Sequence, residues 1–306
     1  MFQGLIAATH TPFQQNGDLK LEVIPKYVQY LLDCKMDALY VNGSTGEGIS
    51  LSVDERQTAL EAFVHAVGGR LPIIAQVGAN ALTDCQKLAA HAEKTGVTAI
   101  SACAPSYFKV TTASLLVDLM KEIAAAAPKT PFYYYHIPRF TGLSIEIGRF
   151  LKEAETKIPT LRGMKYTDTK TFEYLEALEY GNRKLNVLWG CDEMLLSALA
   201  VGAPGAVGST YPLCNIVSRQ VLNAWNERDF EKAKCWQLRS WEYVKVLCRY
   251  GDLLSGQRIL MKSFGLDLGA CRLPIEMMSE EAGKKMLADL KTIGYYDWQG
   301  VPEQKS

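Results

Sequence analysis

The sequence of 306 residues predicts an α/β protein: a (β/α)8 TIM barrel with a C-terminal three-helix extension. Short, continuous apolar runs alternate eight times with longer amphipathic segments, as parallel strands that are covered on both faces do. The length exceeds that of most single domains but is ordinary for an α/β barrel. No linker or low-complexity tract interrupts the alternation.

The eight strand–helix units can be assigned in order along the chain. The predicted strands are residues 5–9, 38–42, 71–77, 97–103, 131–135, 161–165, 187–190 and 205–208. The predicted helices between and after them are residues 21–35, 53–67, 83–94, 113–126, 145–155, 172–180, 193–200 and 216–226. Eight units in succession favour a closed barrel over an open sheet. We therefore expect a barrel over residues 1–228 and a helical extension over 229–306 that packs on it, with helices at 230–249, 253–264 and 280–293.

Composition excludes several classes of protein. The 33 basic and 33 acidic side chains cancel, so neither a nucleic acid nor a membrane surface is an expected partner. No apolar run approaches the ~18 residues that cross a bilayer, and the N-terminus lacks the basic start of a signal peptide. The eight cysteines form no Cys-x-x-Cys pair, and we interpret them, Cys34, Cys103, Cys191 and Cys248 among them, as buried free thiols. The expected location is the cytoplasm.

Lys165 is the strongest candidate for a catalytic residue. The active site of a barrel lies at the carboxyl ends of its strands, and Lys165 ends the sixth predicted strand. Leu161, Gly163 and Lys165 share one face and are predicted to point inward, with Gly163 leaving room beneath the amine. An apolar interior disfavours an ammonium ion, and a neutral amine can condense with a ketone to form a Schiff base. The alternative is a lysine that extends from the rim to water.

The second and fifth strands also end in polar residues. Gly43-Ser44-Thr45-Gly46-Glu47 follows strand two, and its small residues, amides and hydroxyls suit a carboxylate ligand. An ordinary glycine-rich turn with capping hydroxyls remains the alternative. In strand five, alternation puts Tyr133 and Tyr135 on one face and Tyr134 on the other. Tyr135 at the rim is placed to relay a proton, although aromatic residues also favour strands for their own sake.

The remaining strand ends carry small and acidic residues. Gly190-Cys191-Asp192-Glu193 follows strand seven, and its carboxylates either bind sugar hydroxyls or simply favour a helix start. Gly208-Ser209-Thr210 follows strand eight and forms another polar rim. The loop after strand four exposes Tyr107 and Phe108, which belong either to the core or to a subunit contact. The four histidines, at positions 10, 65, 91 and 136, show no metal-ligand spacing.

Taken together, these motifs resemble those of the N-acetylneuraminate lyase and dihydrodipicolinate synthase superfamily, the pyruvate-dependent class I aldolases built on a (β/α)8 barrel. The resemblance spans nearly the whole chain, and the order and spacing of the motifs are more specific than any one of them. The motifs are Thr11-Pro12-Phe13, Gly43-Ser44-Thr45-Gly46-Glu47, Tyr135-x-x-Pro138, Gly163-Met164-Lys165-Tyr166-Thr167 and Gly208-Ser209.

The resemblance implies a role for each motif. Lys165 corresponds to the Schiff-base lysine, Tyr135 to the proton-transfer tyrosine, and Ser44 and Thr45 to the carboxylate-binding turn. Tyr107 is similar to a tyrosine that enters a neighbouring subunit's site and completes a hydroxyl relay with Ser44 and Tyr135. That role implies a homotetramer of two tight dimers. The resemblance also implies that no metal or organic cofactor is needed, because the lysine itself supplies the electrophile.

Within the superfamily, the motifs resemble the lyase branch of animal type. The synthase branch carries an arginine at the position of Phe140, whereas Arg139 lies beside it here. The lyase branch holds a polyol with residues that correspond to Thr167, Gly190, Asp192, Glu193 and Ser209. The implied reaction cleaves N-acetylneuraminate, a sialic acid, to N-acetylmannosamine and pyruvate. The alternatives are another pyruvate-dependent aldolase that acts on a 2-keto-3-deoxy sugar acid, and a catalytically silent sialic-acid-binding barrel.

Overall fold

A computed structural model of the chain describes residues 1–299. Eight parallel strands pair in chain order, and the last pairs with the first, so the sheet closes into a barrel. The predicted fold is therefore confirmed. The strands are β1 (Gly4–Ala8), β2 (Ala38–Val41), β3 (Ile73–Gln76), β4 (Ala99–Cys103), β5 (Phe132–His136), β6 (Leu161–Tyr166), β7 (Asn186–Trp189) and β8 (Gly205–Gly208).

Helices follow the strands and continue beyond the barrel. The described residues form α1 (Ile24–Asp33), α2 (Val53–Val67), α3 (Leu82–Thr95), α4 (Ala113–Ala125), α5 (Pro138–Thr141), α6 (Ile147–Lys157), α7 (Thr171–Glu179), α8 (Leu195–Ala200), α9 (Asn215–Asn226), α10 (Phe230–Arg249), α11 (Leu253–Ser263), α12 (Glu280–Thr292) and α13 (Tyr295–Gln299). Neither α5 nor α13 was expected from the sequence, because helices this short show no readable periodicity. The three longer helices of the extension, α10 to α12, lie where they are predicted. The division at residue 228 stays a prediction, and residues 300–306 of the proposed extension lie outside the described part of the chain.

Local sequence signals explain where several helices begin and end. Ser52 and Glu55 form a capping box at the start of α2, each side chain bonded to the other residue's backbone N–H. Gly68 ends α2 with a φ of 55°, a left-handed conformation that suits glycine. Asp229 and Asp252 cap α10 and α11 through their side chains, which accept from the N–H groups of Lys232 and Leu254.

The strands divide the apolar residues into two layers. One cluster fills the barrel and includes Ile6, Tyr40, Ile74, Tyr133 and Tyr135. A second, larger cluster lies between the strands and the surrounding helices and includes Tyr134. Successive residues of a strand point to opposite faces, so the predicted alternation of the three tyrosines is confirmed.

The pairing of β5 with β6 contains an irregularity that corrects one prediction. Phe132 pairs with Leu161, but Tyr133 pairs with Gly163, so Arg162 is an extra residue in β6. Leu161 therefore packs in the outer cluster, whereas Gly163 and Lys165 face inward. The prediction that Leu161 shares the inward face was wrong, because the bulge resets the alternation.

The extension is tied to the barrel through buried polar contacts of α11. Arg258, almost fully buried, donates hydrogen bonds to the carbonyls of Leu268 and Thr11 and forms an ion pair with Glu47 at 2.6 Å. Its guanidinium also lies over the ring of Phe13. Residues of the C-terminal helices thus contact the loops that follow β1 and β2.

The cysteine prediction is correct for part of the set. Five cysteines are buried free thiols: Cys34, Cys85, Cys103, Cys191 and Cys214. Cys248 is exposed, and its inclusion among the buried thiols was wrong, because the buried face of α10 is formed by Tyr243, Val244, Val246 and Leu247. Among the helices of residues 1–299, none is long and apolar enough to span a membrane.

Candidate active site

Lys165 lies inside the barrel, near the carboxyl end of β6. Its side chain is 6% exposed, and its Nζ lies 4.3 Å from the centre of the Tyr135 ring and 4.4 Å from that of Tyr40. Within residues 1–299 the amine forms no salt bridge. The space predicted beneath it is filled: a side chain at Gly163 would collide with the Tyr133 ring, 2.6 Å from the position of a Cβ. Aromatic faces thus surround the amine.

Tyr135 connects Lys165 to the turn after β2. Its hydroxyl lies 3.3 Å from Ser44 Oγ, and its ring meets that of Tyr40 edge to face at 5.7 Å. The Tyr40 hydroxyl is directed away, donating to Ser101 Oγ at 3.1 Å. Tyr135 therefore lies beside the Lys165 amine and also contacts the Ser44 hydroxyl. Of the two tyrosines, it is the one placed to transfer a proton between Ser44 and a ligand bound at the amine.

The turn after β2 presents backbone donors. Its ends are closed by hydrogen bonds from Glu47 N–H to the Ser44 carbonyl and from Gly48 N–H to the Gly43 carbonyl. In the described part of the chain, the N–H groups of Ser44 and Thr45 donate to no protein acceptor. Two adjacent free amides with two hydroxyls suit an anionic ligand.

Glu47, at the end of this turn, holds the turn in place through buried hydrogen bonds and does not face the site. It adopts a left-handed conformation with φ 54°, and it is 4% exposed. Its carboxylate receives hydrogen bonds from the Arg258 guanidinium at 2.6 Å and from the Arg272 N–H at 2.7 Å. The extension therefore fixes the far end of the turn that presents Ser44 and Thr45.

Thr167 and Gly190 meet across β6 and β7. A Cβ on Gly190 would lie 2.0 Å from Thr167 Oγ1, so only glycine permits this approach. Thr167 Oγ1 is buried and has no hydrogen-bond partner within residues 1–299. A buried hydroxyl without a partner is unfavourable and is therefore a candidate ligand contact.

Asp192 lies deeper than its position at a helix start suggests. Its Oδ2 accepts hydrogen bonds from the Thr210 N–H at 2.8 Å and the Thr210 hydroxyl at 2.6 Å. A Cβ on Gly208 would lie within 2.2 Å of the carboxylate. Burial raises the pKa of Asp192 to about 6, although the Thr210 bonds oppose that shift.

Glu193 and Ser209 are partly exposed and are held by glutamines of the extension. Gln237 of α10 donates to the Glu193 carbonyl at 3.0 Å and accepts from the Leu196 N–H. Gln257 of α11 donates to Ser209 Oγ at 3.1 Å. The loops after β7 and β8 are therefore positioned by helices outside the barrel.

Tyr107 does not join the other predicted site residues within one chain. Its side chain is 78% exposed, and its ring packs edge to face on Phe108, which is 82% exposed. The loop is attached through Asn80, whose side-chain oxygen accepts from the backbone of Ser106 and Tyr107. The structure therefore leaves Tyr107 available for a contact outside its own chain.

Among residues 1–299, one group of possible metal ligands lies behind the site. The ligand atoms of His136, Asp168 and Glu173 are within 4.8 Å of one another, an arrangement that histidine spacing did not reveal. The cluster is satisfied without an ion, because Tyr166 donates to Glu173 and Lys170 pairs with Asp168. Burial lowers the pKa of His136 to about 4.

Comparison with known proteins assigns the family. The Dihydrodipicolinate synthetase family matches residues 1–293 of the chain. The chain belongs to this family. The resemblance indicated by the sequence motifs is thereby confirmed at the level of the family.

The relatives and solved structures to which the chain is similar include several proteins named N-acetylneuraminate lyase. The chain is 37% identical to N-acetylneuraminate lyase of Mus musculus over 307 residues, 99% of this chain and 96% of the relative. It is 38% identical to that of Homo sapiens over 305 residues, 98% and 95% of the two chains. The structure of Proteus mirabilis N-acetylneuraminate lyase superposes with a TM-score of 0.93 at 34% identity, covering 96% of this chain and 99% of the other.

Arg139 and Phe140 follow β5 in the short helix α5. Phe140 is 58% exposed, and the Arg139 guanidinium lies 5.8 Å from its ring. Both side chains lie at the rim, outside the buried group around Lys165. An exposed phenylalanine here offers no partner for a second carboxylate.

Several site residues were missed by sequence reasoning. Tyr40 was overlooked because it precedes the glycine-rich turn by three residues, although strand alternation could have placed it inward. Gln237, Gln257 and Arg258 carry no local motif. They lie on helices far along the chain, and only the packing of those helices brings them to the rim.

Proposed function

We propose that this member of the family is a class I aldolase that cleaves N-acetylneuraminate to N-acetylmannosamine and pyruvate. The observation that carries the proposal is the buried Lys165 amine between the rings of Tyr40 and Tyr135, with Ser44 bonded to Tyr135. The names of the family relatives support the choice of substrate. Exposed Phe140 supports it too, since it provides no site for a second acid.

The first half of the proposed reaction forms a covalent intermediate. The Lys165 amine attacks the C2 ketone of the open-chain sugar acid. Tyr135 donates its phenolic proton to the departing hydroxyl, so that water leaves and an iminium ion and a Tyr135 phenolate remain. The free amides of Ser44 and Thr45 hold the substrate carboxylate beside the amine. Because these donors are already oriented, binding the charge requires little reorganisation.

The second half breaks the C3–C4 bond. The Tyr135 phenolate takes up the proton of the C4 hydroxyl, C4 becomes the aldehyde carbon of the product, and the electron pair of the C3–C4 bond moves into the iminium to give an enamine. N-acetylmannosamine leaves, and Tyr135 passes its proton to C3. Hydrolysis of the resulting iminium releases pyruvate and the free Lys165 amine and returns one proton to Tyr135. Contact with Ser44 gives Tyr135 a second hydroxyl with which to exchange the proton.

The polyol tail is proposed to lie across the ends of β6, β7 and β8. The unpartnered Thr167 hydroxyl, the Gly190 backbone, Asp192, Glu193 and Ser209 supply donors and acceptors there. Carboxylates bind hydroxyls through charge-assisted hydrogen bonds, which favours a polyhydroxylated substrate.

We further propose a cytoplasmic homotetramer in which Tyr107 completes the site of a neighbouring subunit. The exposed Tyr107–Phe108 pair supports a contact outside the chain, and the buried free thiols suit a reducing compartment. Sedimentation of the wild type and of a Tyr107→Ala variant tests the assembly; a fully active monomer contradicts it.

Borohydride trapping tests the central step. Reduction in the presence of pyruvate is expected to add a pyruvyl group to Lys165, found by mass spectrometry of the peptides. Lys165→Met is expected to abolish the adduct, whereas Lys170→Met, which removes a half-exposed lysine on the following loop, retains it. An adduct elsewhere, or none, overturns the proposal.

A substrate panel separates the rival functions. Pyruvate release is measured with N-acetylneuraminate and with a 2-keto-3-deoxy sugar acid at equal concentrations. Faster cleavage of N-acetylneuraminate supports the proposal. Preference for the other acid makes the protein a different aldolase of the family, and binding without pyruvate release makes it a silent barrel.

A further inference from the structure

A chain of buried polar side chains runs from α1 to Ser209 and is not used by the mechanism above. Tyr27 of α1, His10 after β1 and Gln257 of α11 are fully buried. The Tyr27 oxygen lies 3.2 Å from His10 Nδ1, and His10 Nε2 lies 2.9 Å from Gln257 Oε1. Gln257 Nε2 lies 3.1 Å from Ser209 Oγ. Each link is within hydrogen-bond distance, so the direction of donation decides what the chain does.

The contacts of Tyr27 determine the direction of hydrogen-bond donation along this chain of side chains. The Tyr27 oxygen already accepts a hydrogen bond from the His10 backbone N–H at 3.3 Å. Burial raises the pKa of the Tyr27 phenol well above its ordinary value, so the hydroxyl keeps its hydrogen. In the described part of the chain, His10 Nδ1 is the remaining polar atom bonded to this oxygen. The phenolic hydrogen therefore goes to Nδ1, because a buried donor without an acceptor costs free energy.

The direction of the hydrogen bonds at His10 and Gln257 follows from that at Tyr27. Burial, together with the charge of Arg258, lowers the pKa of His10 to about 3, so the ring is neutral and carries one N–H. Since Nδ1 accepts from Tyr27, that hydrogen is on Nε2 and is donated to Gln257 Oε1. The amide nitrogen of Gln257 then faces Ser209 and donates to it.

We infer that Tyr27, His10 and Gln257 are positioning residues that make the Ser209 hydroxyl a hydrogen-bond donor to the substrate. One lone pair of Ser209 Oγ is taken by Gln257, and among residues 1–299 the hydroxyl hydrogen has no acceptor. This inference rests on the proposed function, in which Ser209 binds the polyol.

The polarity of Ser209 complements that of the neighbouring acidic residues. Thr210, the next residue, is bonded to the Asp192 carboxylate, so Ser209 and Asp192 belong to one rim. A carboxylate only accepts, and Ser209 donates. A substrate hydroxyl satisfies both at once because it donates to one partner and accepts from the other. An ammonium group, which cannot accept, would leave the Ser209 hydrogen without a substrate partner.

A double-variant cycle tests the inference. Gln257→Met removes the donor and leaves Ser209 free to turn; we expect KM for N-acetylneuraminate to rise about fivefold with kcat within twofold. Ser209→Ala is expected to raise KM similarly. Adding Gln257→Met to Ser209→Ala is expected to cause no further rise, because the glutamine acts through the serine. Equal effects in both backgrounds, or a loss confined to kcat, overturn the inference.

Tyr27→Phe extends the test to the far end of the chain. This variant removes the phenolic hydrogen that determines the direction of donation along the chain of side chains. We expect KM to rise about twofold in the wild-type background and not to rise in the Ser209→Ala background. If Gln257→Met does not fold, judged by its melting temperature, Gln257→Glu of nearly identical shape replaces it. Its carboxylate takes up the Ser209 hydrogen, so the same dependence on Ser209 is expected.

The cycle also separates this inference from the proposed function. Wild-type protein is first shown to release pyruvate and to form the Lys165 adduct. Failure of that step overturns the proposed function and this inference with it. An active wild type whose variant effects are additive overturns the inference alone.

Discussion

Gly208 determines how closely the Asp192 carboxylate approaches β8. A Cβ at this position would lie 1.9 Å from Asp192 Oδ1, and the carboxylate is fixed by two bonds from Thr210. A single methyl group therefore either displaces the acid or strains the strand.

We predict that Gly208→Ala lowers the free energy of unfolding by roughly 1–3 kcal/mol and raises KM for the sugar acid. Urea unfolding and steady-state kinetics measure the two effects. Gly283→Ala is the matched control. It lies inside α12, and its nearest neighbour is the flexible end of Ile259 at 3.2 Å. Equal stability losses in both variants would contradict the role assigned to Gly208.

Glu193 is proposed to bind the polyol of the substrate through its carboxylate. It is partly exposed, and its backbone carbonyl is held by Gln237, so the carboxylate can change without moving the loop. We predict that Glu193→Gln raises KM for N-acetylneuraminate by about tenfold, whereas the rate of pyruvate trapping at Lys165 changes less than twofold. Parallel losses in both assays would show that Glu193 does not select the polyol.

At the scale of elements, the turn after β2 and helix α11 form one unit. The turn offers its free amides at Ser44 and Thr45, and its far end is held by the ion pair between Glu47 and Arg258. Both members of that pair are almost fully buried. A buried pair contributes little net stability when intact, but loss of one partner leaves an uncompensated charge.

We predict that Arg258→Met costs about 3–5 kcal/mol of unfolding free energy and weakens pyruvate binding, because the carboxylate-binding turn loses its anchor. The double variant Arg258→Met, Glu47→Gln is expected to recover part of that stability, since no charge stays buried. Calorimetry and pyruvate trapping measure these effects. A double variant no more stable than Arg258→Met would argue against the ion pair as the cause.

At the scale of the whole molecule, buried histidines link stability to pH. Burial lowers the pKa of His10 to about 3 and of His136 to about 4, from an ordinary value of 6.5. Between pH 6.5 and 4 the unfolded chain takes up protons that the folded protein refuses, so stability falls as pH falls. Asp192 opposes the trend, because its raised pKa lets the folded state hold a proton below about pH 6.

We predict that the free energy of unfolding decreases from pH 6.5 to pH 4, with roughly 3 kcal/mol contributed by His136. Urea titrations at several pH values give the slope. His136→Gln is expected to flatten it, although Asp168 and Glu173 still face the position. A variant with the wild-type slope would show that His136 does not cause the acid sensitivity.

The sequence predicted the barrel because a closed parallel sheet repeats one local signal eight times. Buried strands read as apolar runs, and covering helices read as amphipathic segments, so errors at single boundaries do not change the count. The inward direction of Lys165 and the alternation of Tyr133 to Tyr135 followed from the same local rule. The position of Leu161 did not, because a bulge depends on pairing with β5.

What the sequence determined by itself is the chemistry at the strand ends: which residues follow each strand, and that parallel strands bring them to one rim. The tertiary structure decided what surrounds them. It placed Tyr40 against Lys165, buried the carboxylate of Asp192 and brought Gln237, Gln257 and Arg258 to the rim from α10 and α11. Strand patterns depend on neighbouring residues, whereas these contacts join residues as far apart as 247 positions, and only the packed chain specifies them.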